Sequence, residues 1–381
     1  MLFMVDSILI KPLSSKSIVW FKASNTYVLV AYKTAEILLK ISEGISLKSL
    51  KKWGKTKLEL TSKQGNTLLE STYRLFADLN KSIPDVSVAK NDFRPPKSYA
   101  SIKLYKIGVQ YFKLSFETEA LAFLIHPKFA HLEVRTNRIF DHHFEVFKAE
   151  DNIVLQGEKG NIGVWEPKES HYFQGKFSMS LLEKMYDKAE ADWLAVFHAS
   201  AISDGENCIL FMGDSGNGKS TLAALLIAHG YTLFADDFVP VSAALQQVYY
   251  FPAAISIKES AVTALSPFYP KLNEEMLYDF KRLNKKVRYL AAPPLLKDQK
   301  KQLPCKALVF VKYIKNGEFK FKKMEKELAF QQLIPDSWLS PERNNAALFL
   351  DWFAEVPCYQ LSYSDNELMY QCVSKLFKDD L

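Results

Sequence analysis

The stretch NCILFMGDSGNGKSTLAALLIAHGYTLFADDFVP, Asn207 to Pro240, decides how the rest of the chain is read. Cys208–Met212 is a short, wholly apolar run, the pattern of a buried strand. It feeds Gly213-Asp214-Ser215-Gly216-Asn217-Gly218-Lys219-Ser220, which fits the phosphate-binding pattern G-x-x-x-x-G-K-[ST]. Thr221–His229 is rich in Ala and Leu and stops at Gly230, which predicts a helix. A second apolar run, Tyr231–Ala235, predicts another strand ending at Asp236-Asp237. A strand before the pattern and a helix after it turn a short motif into a specific expectation of nucleotide binding.

The chemistry follows from residue types. Gly213, Gly216 and Gly218 allow a close backbone approach that a side chain would block. The amides from Gly213 through Thr221 can then converge on phosphate oxygens at a helix N-terminus, whose partial positive charge favours anions. Lys219 supplies a point charge for the outer phosphates, and the Ser220 hydroxyl suits Mg²⁺. Asp236 and Asp237 stand where carboxylates could reach a metal and an incoming hydroxyl, although Asp is also common in caps and turns.

Working outward, His198 lies in FHASAIS, a strand whose turn Asp204-Gly205-Glu206-Asn207 leads back into the loop's own strand. That hairpin would hold His198 in a fixed relation to the phosphate site, where it could bind phosphate or influence a carboxylate. A semi-buried histidine with no catalytic part is the competing reading. The chain has 381 residues, enough for two or three domains. Lys+Arg 49 against Asp+Glu 43 leaves a mild excess of +6, which does not argue for nucleic acid. The four scattered cysteines form no C-x-x-C pair, so the expectation is reduced thiols in a cytoplasmic protein. No signal peptide is apparent at Met1–Ile10, and the apolar runs are too short to span a membrane.

Before the loop come two further regions. Ser7–Lys11, Ser17–Phe21 and Tyr27–Val30 read as strands, followed by helices at Thr34–Ser42, Ser46–Trp53 and Lys63–Leu79. That order, with the SN…TAEILLKISEG stretch, is similar to the PqqD-like domains that deliver precursor peptides to modifying enzymes. The resemblance implies a small, winged-helix-like recognition domain over residues 1–90. The proline-bearing polar segment 91–98 reads as a linker. Ser101–Ile107, Val109–Phe116, Ala130–Val134, Phe144–Lys148, Asn152–Leu155, Ile162–Trp165 and His171–Phe177 then predict a strand-rich region, with helical character over Leu181–Phe197. Asp141-His142-His143 invites a metal reading, yet adjacent residues of a strand face opposite ways.

The block from Phe197 to Val241 resembles the catalytic core of HPr kinase/phosphorylase and its relatives, which share a nucleotide fold with ATP-dependent phosphoenolpyruvate carboxykinases. The resemblance rests on His198, the loop with Ser215 inside it, and Asp236-Asp237 soon after the helix. It implies an α/β P-loop core over residues 99–381, ATP and Mg²⁺ as cofactors, Asp236 near the metal and Asp237 as base. The long glycine- and proline-containing signature of true HPr kinase/phosphorylases has no counterpart here, so HPr as target and phosphorylase activity do not carry over. Kinases that sit beside peptide-modifying machinery and act on peptide serines match the arrangement better.

Downstream, Lys281, Arg282, Lys285, Lys286 and Arg288 form a basic run in which Arg288 or Lys285 could neutralise the transferring phosphoryl group. A hairpin is expected from Ala307–Tyr313 through Asn316-Gly317 to Phe319–Lys323. Helices are expected at Glu325–Leu333, Glu342–Val356 and Asn366–Phe377. The resulting expectation is an ATP- and Mg²⁺-dependent kinase acting on a hydroxyl, most readily serine of a peptide or protein such as a precursor peptide. A small-molecule acceptor, a nucleotide-gated binding protein and a homo-oligomer stay open. Nucleic acid and membrane are not expected as partners.

Overall fold

The computed structural model describes residues 3–5, 7–81, 93–280 and 285–380. It is a mixed α/β structure with several sheets. Part of the basic run (Lys281, Arg282), residues 82–90 and the first two residues of the linker segment 91–98 lie outside the described residues.

The first sheet is antiparallel in chain order: Phe3–Val5, Ile8–Pro12, Ser17–Phe21 and Thr26–Val30. Helices Tyr32–Ser42, Leu47–Lys57 and Lys63–Leu79 follow, the second and third capped by Ser46 and Ser62. Alternation along the strands divides the sheet's residues between two partners. Ile8, Ile10, Val19 and Phe21 pack toward the first sheet's own helices. Leu9, Ile18 and Trp20 join a core shared with the rest of the chain. The seam between them carries polar links as well. Asn25 accepts from Trp20 and donates 2.9 Å to the Leu339 carbonyl, and Lys11 pairs with Asp351.

A five-stranded sheet comes next: Ser101–Ile107, Gln110–Phe116, His142–Ala149, Asn152–Gly157 and Gly160–Trp165. Helices Glu119–Phe129 and Ser170–Tyr186 lie with it. Three sequence expectations change here. His171–Phe177 is helix rather than strand, because Phe173, Phe177 and Leu181 recur every fourth residue and all are buried. The helical reading of Leu181–Phe197 holds only to Tyr186, since Trp193–Phe197 is a strand buried along its whole length. Ala130–Val134 is a 3₁₀ turn at Ala130–Leu132, with Glu133 making a single bridge to Tyr105.

The largest sheet has ten strands, and the loop's strand Cys208–Met212 sits inside it. One neighbour is Ser200–Ser203, the antiparallel hairpin partner expected from the Asp204–Asn207 turn. The other is the long strand Gln302–Tyr313, which runs parallel to it. The expected hairpin from that strand to Lys320–Lys323 does not form. Cys358–Tyr363 inserts between the two, parallel to Gln302–Tyr313 and antiparallel to Lys320–Lys323. An Asn-Gly turn biases the chain to reverse but cannot specify which strand pairs alongside.

A small third layer, Ile255–Lys258, Lys285–Leu290 and Tyr278–Phe280, forms its own antiparallel sheet near the loop. Helix Lys219–Ala228 packs against its first strand and buries Leu222, Ala223, Ala224, Leu225 and Leu226. Each such leucine contributes about 1.5–3 kcal/mol of burial. All four cysteines are free thiols. Among the described residues no helix is long and apolar enough to cross a membrane.

Candidate nucleotide and phosphoryl-transfer site

The loop Gly213–Gly218 turns out of the strand tip and straight into the helix beginning at Lys219. Two glycines are required by geometry. At Gly213, with φ +136°, a Cβ would stand 2.7 Å from the Val311 carbonyl oxygen. Gly218, with φ +93°, occupies the left-handed region at the helix N-cap, and its Cβ would press 3.1 Å from Tyr313. The loop is pinned to the neighbouring strand by the Tyr313 N–H, which donates 3.0 Å to Asn217 O.

Lys219 is buried and folds back over the loop, donating to the carbonyls of Gly213 and Asp214. Burial pushes its pKa down, while Asp237, Asp236, Asp336 and Asp214 pull it up. Ser220 Oγ stands 3.3 and 3.2 Å from the two carboxylate oxygens of Asp236. Asp236 also accepts from the Ser200 hydroxyl and, at 3.4 Å, from the Ser256 N–H. Burial and the neighbouring Asp237 push the Asp236 carboxyl up to about 6.

Asp237 points elsewhere. Its φ of +65° is left-handed, and its N–H donates 2.9 Å to Ala199 O. The strand ends at Asp236, so this kink rather than the strand's alternation sets the direction of the Asp237 side chain. Asp237 Oδ1 lies 3.5 Å from His198 Nδ1, and Oδ2 lies 3.6 Å from Lys128 Nζ. His198 sits at the break between Trp193–Phe197 and Ser200–Ser203, with its N–H on Asp336 O. The left-handed turn at Asp237 therefore sends its carboxylate toward the histidine while Asp236 stays on Ser220.

The loop, Asp237 and His198 open on a cavity of about 330 Å³, while Asp236 is buried behind Ser220 and does not line it. His198, Asp237, Ser215, Gly216, Gly218, Lys219, Ser220 and Thr221 line it, all singled out by sequence. The opposite wall was not anticipated. Strand Ile255–Lys258 buries Ile255 and Ile257 in the core around the loop helix, so period-two alternation turns Ser256 and Lys258 to the cavity. The Ser256 hydroxyl is buried and has no hydrogen-bond partner among the described residues. Lys258 Nζ would stand 3.4 Å from a Cβ on Gly216. Tyr313, Tyr363 and Asn366 also line the space. The I-S-I-K alternation was the available signal, but nothing in sequence said which element the polar face would meet.

Arg288 is not among the cavity's lining residues. It donates to the Glu275 carbonyl from the strand beside Ile257. His142 and His143 belong to the five-stranded sheet, where His142 stands 3.9 Å from Glu158 and His143 bonds the Ser115 hydroxyl at 3.0 Å. Among the described residues no three His, Cys, Asp or Glu side chains converge as a metal-binding group. The oxygen donors of Ser220 and Asp236, with the orphaned Ser256 hydroxyl beside them, suit a hard cation. Mg²⁺ commonly takes one or two carboxylates and completes its shell with phosphates and water.

No protein-family model matches the chain, and no curated protein does. The solved structure of the HPr(Ser) kinase/phosphatase from Coxiella burnetii aligns over 48% of this chain and 94% of its own, at 12% identity and a TM-score of 0.23. At that score the alignment fixes neither fold nor chemistry, and the reading of the site rests on its own geometry.

Proposed function

We propose that this protein is an ATP- and Mg²⁺-dependent kinase that phosphorylates a hydroxyl, with serine of a peptide or protein as the favoured acceptor. The observation that carries the reading is the divergence of Asp236 and Asp237. One carboxylate sits on the loop's own Ser220, while the other, turned by a left-handed backbone, lines the cavity beside His198. A site built only to hold nucleotide has no use for the second carboxylate.

The loop amides and Lys219 would hold the triphosphate, and Lys258 would face it from the opposite wall. Ser220 and Asp236 would hold Mg²⁺, which supplies charge neutralisation on the phosphates when bound. Tyr313, Tyr363 and Asn366 offer aromatic and amide surface to the base. In the transfer step the acceptor oxygen forms a bond to the terminal phosphorus as the bridging P–O bond breaks. The electron pair of that bond leaves with ADP, and the acceptor proton passes to Asp237. The first sheet and its three helices would recruit the acceptor-bearing partner and raise its local concentration.

Incubation with γ-labelled ATP, Mg²⁺ and serine peptides, partner proteins or cell metabolites tests the reading. Label on an acceptor hydroxyl supports it. Inorganic phosphate alone across all acceptors, or tight nucleotide binding with no turnover, overturns it.

A further inference from the structure

The sheet-rich region ahead of the loop places one cation at the reacting end of the site. Lys128 belongs to helix Glu119–Phe129, far upstream of the loop in sequence, yet its Nζ lies 3.6 Å from Asp237 Oδ2. His198 approaches the other oxygen at 3.5 Å. We propose that Lys128 is a positioning residue for Asp237, orienting the carboxylate toward the acceptor, so that the upstream region completes the catalytic site. This rests on the kinase reading above, and specifically on Asp237 as base.

The backbone of Lys128 is anchored where the argument needs it. Its carbonyl accepts 2.9 Å from the Ala254 N–H, at the entry to the wall strand Ile255–Lys258. Phe129 meets Phe251 edge-on at 6.0 Å, and Phe251 lies 4.7 Å from Phe238, the residue after Asp237. Phe123, five residues before Lys128 on the same helix, packs on Tyr278 and Phe280 of the three-stranded layer. A lysine in the last turn of a helix is favoured by the helix dipole. That preference explains the charge but not its direction, because any exposed position of the turn would satisfy it.

The separations of 3.5 and 3.6 Å are longer than a well-formed charged hydrogen bond, and both Lys128 and Asp237 are part-exposed. Such a pair adds little to stability, and what it can do is choose an orientation. The choice matters because Asp237 also acts on the buried ammonium of Lys219. A carboxylate drawn to Lys219 would sit on the phosphate side of the cavity. Lys128 and His198 hold it to the other side. A carboxylate has about four acceptor sites, so Lys128 and His198 can orient it without by themselves filling it.

A double-variant cycle on the full chain tests this, reading phosphate moved from γ-labelled ATP to water and to a serine-peptide library. Lys128→Met should lower kcat about tenfold, with KM for ATP and the affinity for MgADP within about twofold of wild type. Lys128→Arg should recover most of the loss. In the Asp237→Asn background, Lys128→Met should add less than about twofold. Melting curves check folding, and Lys128→Gln repeats the cycle if the methionine variant does not fold. Losses that multiply in the double variant, or a change in KM or MgADP affinity in place of kcat, would show Lys128 acting independently of Asp237 and overturn the inference while the kinase stands. A wild-type protein that moves phosphate to water alone, or moves none, overturns the kinase reading, and this inference with it.

Discussion

Residues 207–240 and the rest of the site are built by different rules. Between Cys208 and Asp237, neighbours in sequence are neighbours in space: strand, loop, helix and strand deliver Lys219, Ser220 and Asp237 to one cavity, with Asp236 buried directly behind Ser220. The facing wall and the seams are assembled from a distance. Ser256 and Lys258 arrive on a separate sheet, Lys128 on an upstream helix, and Ser14 and Ser15 of the first sheet meet Glu327 near the other end of the chain. Contiguous chemistry is dictated by local backbone geometry, whereas the distant contacts depend on which sheets share a core.

Breaking the contiguous part should have the largest effect. Lys219→Ala removes the buried cation that folds over the loop, and phosphoryl transfer should fall by about a thousandfold or more. Circular dichroism should show an unchanged fold. Turnover at the wild-type rate would mean that the loop is not the working phosphate site.

The aspartates sharpen the comparison, because adjacent residues should fail differently. Asp237→Asn keeps size and removes the proposed base, so transfer should drop about a hundredfold while nucleotide affinity moves much less. Asp236→Asn should instead raise the Mg²⁺ concentration needed for half-maximal rate. Titrating Mg²⁺ against each variant separates them, and identical Mg²⁺ curves would remove the division of labour.

The wall tests whether a distant residue can matter as much as a local one. Lys258→Met should cost about tenfold in kcat/KM for ATP, since one cation is withdrawn from the phosphate side while the loop remains. Arg288→Met, by contrast, should leave kcat/KM within about twofold, because its guanidinium is engaged at the Glu275 carbonyl. A larger loss for Arg288→Met than for Lys258→Met would return the role to the position suggested by sequence.

How much could be read in advance follows the same division. The loop, its strand, its helix and the hairpin before it were legible because glycine, apolar runs and a tight turn act within a few residues. Helix Lys63–Leu79 was placed to the residue for the same reason, although sequence left the cap open between Thr61 and Ser62 and the structure gives it to Ser62. His171–Phe177 was misread because a seven-residue aromatic window satisfies both periods, and only Leu181 further on breaks the tie. The insertion of Cys358–Tyr363 beside Gln302–Tyr313 was invisible, as parallel pairing between remote strands leaves no local mark. Lys128 and Lys258 were unremarkable lysines until the sheets that carry them came together at the loop.

The smallest effect on catalysis should come from the farthest contact. Glu327 is buried at the seam and accepts from the Ser15 N–H and from the hydroxyls of Ser14 and Ser15, residues more than three hundred positions away in sequence. Burial pushes its carboxyl up, but those hydrogen bonds outweigh it and hold the group down at about 2. A folded-state value below the unfolded one stabilises the protein above the unfolded value of 4.5, and that contribution is lost as pH falls through about 2. Glu327→Gln keeps the shape and removes the charge, so it should cost about 3 kcal/mol at neutral pH, the stabilisation that goes with a carboxyl held at about 2 instead of 4.5. Catalysis measured with ATP and water should hardly change, because the residue lies outside the cavity lining. The gap in denaturant midpoint between wild type and variant should narrow steadily between about pH 5 and pH 2. A gap that stays constant across that range would mean the carboxylate's charge does not fasten the first sheet to the rest of the chain, leaving the shared apolar core around Trp20 and the Asn25 and Lys11 links to hold it.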